Sequence, residues 1–201
     1  MDLRLAELPP LERYKLLIGL VIPRPIAWIS TYSANGLANC APFSFFNVFS
    51  EDPPLCVIGI NPRSDGQIKH SLKNIRRTKE FVVNLVDEDT ANAMHLSSKE
   101  FPEDVSEFSE TGLTPVPALT VKHPRIAQAA ACLECKLERL IVISGTRELV
   151  LGEIQLVHAR DGIIDPQTKR ISEKRYRPIG RLFADRYCTT RQRFNLPGEI
   201  P

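Results

Sequence analysis

Hydrophobic residues crowd the stretch Pro25-Ile26-Ala27-Trp28-Ile29-Ser30-Thr31-Tyr32, where β-branched and aromatic side chains dominate, and Ser33-Ala34-Asn35-Gly36 follows as a tight-turn signal. The pattern predicts a hairpin whose return strand takes in residues 37–42 and leads into Phe43-Ser44-Phe45-Phe46-Asn47-Val48-Phe49. Aromatics at that density do not suit a solvated loop and need an apolar cover. Asp52-Pro53-Pro54 breaks the chain. Leu55-Cys56-Val57-Ile58-Gly59-Ile60 is then an unbroken apolar run of strand length, read as a central barrel strand. Ile68, Leu72 and Ile75 recur at spacings of four and three among Lys69, His70, Lys73, Arg76 and Arg77. This is the pattern of an amphipathic helix, with Ser64 or Asp65 as its cap and free backbone N–H groups in its first turn.

Residues 80–86 read as a strand, and Asp87-Glu88-Asp89-Thr90 opens a short helix through Ala91, Met94 and Leu96. From 97 to 124 the chain is polar and proline-containing, anchored by Phe101, Phe108, Leu113, Val116 and Leu119, and is expected to run over the surface at a pocket rim or subunit contact. Residues 131–144 and 147–159 predict two long strands about a turn at Gly145. The fold expected from this order is mainly β with flanking helices.

Composition bounds the rest. A chain of 201 residues with 43% hydrophobic content can bury one sizeable core, so a single domain spanning 1–201 is expected. With 26 basic and 24 acidic residues the net charge is only +2, which gives no reason to expect a nucleic-acid or membrane partner. Any anion site must therefore be local. The run Leu16-Leu17-Ile18-Gly19-Leu20-Val21-Ile22, closed by Pro23 and Pro25, is far short of the roughly 20 residues that cross a bilayer and is read as a buried segment. The acidic N-terminal stretch has no small-residue cleavage site behind an apolar run, so no secretory signal and a cytoplasmic location are expected.

Five scattered cysteines, an odd number, point to reduced thiols. Cys132 and Cys135 form one C-x-x-C without a second pair. Leu133, Cys135 and Leu137 alternate with Glu134 and Lys136, which makes Cys135 a core residue of a half-buried strand. His70, His95, His123 and His158 show no metal-ligand spacing, and no metal is expected.

A phosphorylated cofactor needs N–H donors, hydroxyls and cations converging on its phosphate. Arg63 and Ser64, just before the predicted helix, and Lys69, about one turn inside it, are so placed, although a solvated helix face explains the same composition. A flavin also needs an apolar slot and backbone groups for its pyrimidine edge. Ser44-Phe45-Phe46-Asn47 suits that role and suits equally a barrel end plugged by phenylalanines. Trp28 is expected in the core. The basic tail, from Lys169 to Arg193, fits a phosphate clamp, an interface arm or a solvated surface.

The run Arg24-Pro25-Ile26-Ala27-Trp28-Ile29-Ser30-Thr31, with Asn35-Gly36-Leu37-Ala38-Asn39 and Ala41-Pro42-Phe43-Ser44-Phe45-Phe46-Asn47, resembles the signature block of the flavin reductase-like family. The similarity continues through Asp52-Pro53-Pro54, Gly112-Leu113-Thr114-Pro115-Val116-Pro117 and Gly152-Glu153-Ile154, and covers most of residues 11–187. The resemblance implies an FMN-binding split β-barrel. It also implies a homodimer, with NADH or NADPH as reductant and a partner oxygenase or other acceptor for the electrons. Carried onto this chain, it assigns Ser30, Thr31, Arg63, Ser64 and Lys69 to the ribityl phosphate, and Ser44, Phe45, Phe46 and Asn47 to the isoalloxazine. The implied chemistry is hydride transfer from nicotinamide C4 to flavin N5, with no obligatory acid or base. Two relatives of that chemistry remain open, an FMN electron carrier or redox sensor reduced by a partner protein, and an oxidase of the pyridoxamine phosphate type. In one place the chain departs from the family. Arg181-Leu182-Phe183-Ala184-Asp185-Arg186-Tyr187 stands where a Gly-Gly pair usually precedes a tyrosine, which narrows the nicotinamide side.

Overall fold

The expected hairpin forms as β1 (Ala27–Tyr32) and β2 (Ala38–Phe43), antiparallel with Ala27 opposite Phe43, and Gly36 takes a positive φ in the turn between them. The computed structural model describes residues 1–197. After a bend at Ser44 and Phe45 the chain continues as β3 (Phe46–Glu51) and returns as β4 (Pro54–Ile60). Helix α2 (His70–Thr78) follows; it is numbered after α1 (Pro10–Leu20), which precedes the sheet. Then come β5 (Glu80–Leu85), α3 (Ala91–Leu96), α4 (Glu107–Thr111) and a short ribbon of β6 (Pro115–Val116) and β7 (Arg125–Ile126). The long hairpin of β8 (Ala131–Ser144) and β9 (Arg147–Ala159) comes next, and β10 (Ile179–Arg181) with β11 (Tyr187–Thr189) ends the fold.

Seven strands form one antiparallel sheet in the order β2-β1-β5-β8-β9-β4-β3. Its two edge strands are consecutive in sequence, so the chain itself joins the edges at Ser44 and Phe45. The Gly59 N–H donates to the Phe45 carbonyl at 2.7 Å and fastens this closure. A Cβ on Gly59 would lie 3.1 Å from Phe45 Cβ, which is why a small residue suits the join.

Strand alternation gives the barrel two apolar layers. Ala27, Ile29, Phe43, Phe46, Ile58, Phe81 and Val83 fill the interior, and Leu72 and Ile75 of α2 plug one end. Trp28, Val82, Met94, Phe108 and Ile126 pack outside, beneath α3, α4 and the ribbon. Trp28 is fully buried, as expected, and its Nε1 donates to Ser97 Oγ at 2.9 Å. The C-x-x-C divides between the two layers, Cys135 inside and Cys132 outside, so it is not a paired motif. Cys135 instead lies 4.0 Å from Cys56, sulfur to sulfur, within the core.

Three expectations need correction. The helix begins at His70 rather than near Ser64, because Asp65 accepts from the Gln67 N–H at 2.9 Å in a local turn and Lys69, at the N-cap, is still non-helical. The segment Ser44-Phe45-Phe46-Asn47, read as one unit that lines a flavin slot or plugs a barrel end, is divided, with Ser44 and Phe45 in the bend and Phe46 and Asn47 in β3. The apolar run of residues 16–22 is not buried in this chain; Ile18 is covered, while Leu17, Leu20, Val21 and Ile22 are exposed. Among the described residues no helix is long and apolar enough to cross a membrane.

The interior is close-packed enough to set a prediction. Gly152, opposite Cys56 on one side and Leu137 on the other, would place a Cβ 2.4 Å from Cζ of the fully buried Phe81 ring. Gly152→Ala is expected to destabilise the fold by about 1–3 kcal/mol through overpacking. Denaturant unfolding checks this, and a midpoint equal to wild type would contradict the packing.

Candidate functional site

As an edge strand, β2 leaves one side of its backbone unpaired by the sheet, and a cleft follows that side. Near its start, Ser106 Oγ donates to the Ala38 carbonyl and Glu107 accepts from the Cys40 N–H at 3.2 Å. Residues 38, 40 and 42 therefore turn their backbone groups outward. Pro42, which has no N–H to offer, loses no ladder bond there. Pro42 and Phe43 border it at both ends.

One end of the cleft is built for an anion. Arg63, Lys69 and His70 line it, and Ser64 stands beside them. The Arg63 guanidinium donates to the Phe101 carbonyl at 3.3 Å, while Ser64 and Lys69 converge on the carboxylate of Glu100. Glu107 also faces this end. Burial pushes its carboxyl up to about 7, against the opposing pull of its hydrogen bonds and of Arg63. The folded state thus keeps a proton that the unfolded chain releases above its ordinary 4.5, and stability falls as pH rises from there through about 7. Glu107→Gln is expected to match wild type below about pH 5 and to exceed it by about 3 kcal/mol above about pH 8. Thermal melts across that range check it, and parallel curves would refute it.

The other end opens into a cavity of about 340 Å³ bounded by Tyr14, Arg24, Ser44, Arg181 and Tyr187. Arg24 holds this end together. Its guanidinium donates to the carbonyls of Ile18 at 2.6 Å, Val21 at 2.9 Å and Leu182 at 2.7 Å, and its Nε reaches Ser44 Oγ at 3.3 Å. One side chain so ties the end of α1, the barrel bend and the turn after β10. Among the described residues no carboxylate lies within ion-pair distance of Arg24, and Arg181 faces the same cavity. Two guanidiniums, that of Arg181 paired with Asp185 at 3.8 Å, and a hydroxyl stand beside the apolar Ile26, Pro42 and Met94, a mixed lining that suits the polar edge of a flat, electron-accepting ring.

The expected site residues divide accordingly. Arg63, Ser64, Lys69 and Ser44 come to the cleft. Phe45, partly exposed, packs edge-on to Tyr14 with ring centroids 6.4 Å apart, beside the cavity. Phe46 points into the barrel core, and Asn47 is exposed on β3 with its side chain folded onto the Val48 N–H, so neither lines the cavity. Ser30 and Thr31 are fully buried on opposite faces of β1. Ser30 donates to the Pro124 carbonyl at 2.6 Å and accepts from Asn84, while Thr31 accepts from Asn74 at 3.0 Å. Those hydroxyls are committed to the fold, and a phosphate would reach neither without repacking the strand. Arg24, Arg181, Tyr14 and Glu100 were not singled out from the sequence as site residues.

A family model described as "Flavin reductase like domain" matches residues 19–180. The chain belongs to the flavin reductase-like family. Its barrel is accordingly the family's split β-barrel. It is 44% identical over 169 residues to an uncharacterised protein of Aquifex aeolicus, an alignment spanning 84% of this chain and 85% of that protein. The crystal structure of 2-nitrobenzoate 2-nitroreductase NbaA from Pseudomonas fluorescens superposes with a TM-score of 0.90 at 37% identity, covering 100% and 98% of the two chains. Nitrilotriacetate monooxygenase component B from Bacillus cereus superposes with a TM-score of 0.92 at 29% identity, covering 98% of each. Family membership identifies the chain as a flavin-related oxidoreductase, and the donor set at the two ends of the β2 cleft fits a flavin mononucleotide. The anion end already binds an oxyanion, the Glu100 carboxylate, and the open end offers cations beside an apolar wall.

Proposed function

We propose that this flavin reductase-like protein binds FMN along β2 and passes electrons from NADH or NADPH to flavin. The observation that carries the reading is the polarity of the cleft, with Ser64 and Lys69 at one end and, at the other, the Arg24 guanidinium, which pairs with no carboxylate among the described residues. In it, Arg63, Ser64 and Lys69 hold the phosphate, Pro42 and Phe43 shield the middle from water, and Ser44, Arg24 and Arg181 orient the ring's polar edge. When bound, FMN supplies N5 as acceptor of a hydride from the nicotinamide. The chain's part is to fix the ring's position and to keep positive charge beside the edge that gains electron density.

The name of the Bacillus cereus relative, component B of a monooxygenase, supports an oxygenase as one destination of the electrons. Exposed apolar side chains on α1 and β3, including Leu17, Leu20, Val48 and Phe49, support burial against a second copy of the chain. Five cysteines without a disulfide accord with a cytoplasmic setting.

A second reading, an FMN electron carrier, is favoured by one feature. The turn between β10 and β11 carries Phe183, with Arg186 stacked 5.2 Å from its ring, where the family usually has glycines. Anaerobic addition of NADH and then NADPH to the FMN-loaded protein separates the two. Bleaching of the flavin absorbance by either nucleotide is expected, whereas bleaching only by a partner reductase would replace the reductase reading with the carrier.

A further inference from the structure

At the anion end of the cleft the chain supplies an anion of its own. The Ser64 N–H donates to the two Glu100 oxygens at 3.1 and 3.3 Å, the Ser64 hydroxyl donates to Oε2 at 2.5 Å, and Lys69 Nζ lies 2.9 Å from Oε1. The Ser64 hydroxyl, followed by Lys69, holds the Glu100 carboxyl at about 2, so it is charged at any physiological pH. Two neighbouring contacts draw the same segment down. Arg63 donates to the Phe101 carbonyl, and Lys73 pairs with Glu103 at 2.5 Å. With the segment seated, the free space at this end is only about 50 Å³, against about 340 Å³ at the ring end.

A hydroxyl, a backbone N–H and an ammonium converging on one point are the donors a phosphate monoester takes, and a carboxylate satisfies them with two oxygens and one negative charge. The same donors cannot serve both groups at once. A phosphate brought beside Glu100 would also meet like charge at close range.

We propose that Glu100 is a displaceable internal ligand that competes with the flavin phosphate for Ser64 and Lys69, and so determines how strongly the site prefers FMN to riboflavin. This rests on the FMN reading above. Displacement is feasible, because Lys69 and Glu100 are each more than a quarter exposed, so solvent screens the pair and hydrates both groups once they part. Affinity for FMN is lowered by the fraction of molecules in which Glu100 is seated, while riboflavin, which brings no phosphate, is indifferent to it.

The test is fluorescence titration of flavin-free, full-length protein with FMN and with riboflavin, for wild type and Glu100→Gln. Glutamine keeps the size and accepts a hydrogen bond but carries no charge, and Glu100→Ala guards against a glutamine that still occupies the donors. Both variants are expected to bind FMN about tenfold more tightly than wild type, with riboflavin affinity unchanged. If FMN is preferred over riboflavin by the same ratio in all three proteins, the phosphate site stands and the competition is refuted. If no protein distinguishes FMN from riboflavin, the phosphate does not lie at Ser64 and Lys69, and the FMN reading of this end fails with the proposal.

Discussion

Arg24→Ala is expected to weaken FMN binding by at least about tenfold and to lower the unfolding free energy by about 3 kcal/mol. Both effects come from one buried guanidinium. Removing it strands the carbonyls of Ile18, Val21 and Leu182, which are brought together from α1 and from the turn after β10, more than 150 residues apart in sequence. Each buried acceptor left without a donor costs about 1–3 kcal/mol, although partial hydration of the opened cavity recovers some of this. The Ser44 hydroxyl also loses its partner, so the bend that closes the barrel and lines the ring cavity is released. Arg24→Lys separates the two roles. An ammonium restores charge but not the planar fork that reaches separated acceptors, so affinity is expected to recover further than stability. Flavin titration and denaturant unfolding of both variants read this out. An Arg24→Ala protein with wild-type stability and affinity would refute the clamp.

Lys69→Ala is expected to raise the Kd for FMN by about 10–100-fold and to leave riboflavin binding unchanged, because a charge-assisted hydrogen bond to phosphate is worth roughly 1.5–3 kcal/mol. The sign is informative. Lys69 and Glu100 are the two ends of one ion pair, and if that pair served only to hold the fold together, either substitution would act in the same direction. On the present account they act in opposite directions, Lys69→Ala weakening FMN and Glu100→Gln tightening it. Loss of riboflavin affinity in Lys69→Ala, in step with FMN, would instead mean that Lys69 shapes the whole cleft rather than its phosphate end.

The barrel was legible in the sequence wherever alternation met a strong turn signal. Asn35-Gly36 fixed the first hairpin and Gly145 the last, and the apolar runs of β4 and β5 needed no further help. Errors arose where local backbone chemistry overrode periodicity. Ile68 continues the spacing of Leu72 and Ile75, yet the Asp65 turn keeps residues 64–69 out of the helix, so Lys69 stands at the helix entrance instead of one turn inside.

The site was half legible. Ser30 and Thr31 carry suitable hydroxyls, but adjacent residues of a strand face opposite sides, and β1 lies between β2 and β5 with both its faces covered. Only an edge strand such as β2 can offer its backbone to a ligand. Phe46 was misplaced for a related reason, since aromatic density does not reveal which ring the pleat turns inward. Arg24 acts through contacts between distant segments, and Arg181 is brought beside it by backbone pairing of residues 24 and 181, so no local spacing announces their meeting.

The most direct test is a crystal structure of the full chain grown with FMN. The account predicts the phosphate within hydrogen-bonding distance of Ser64 and Lys69, Glu100 displaced from both, and the polar edge of the ring facing Ser44, Arg24 and Arg181. Flavin bound away from β2, or lying along it with its phosphate toward Arg24, would contradict it.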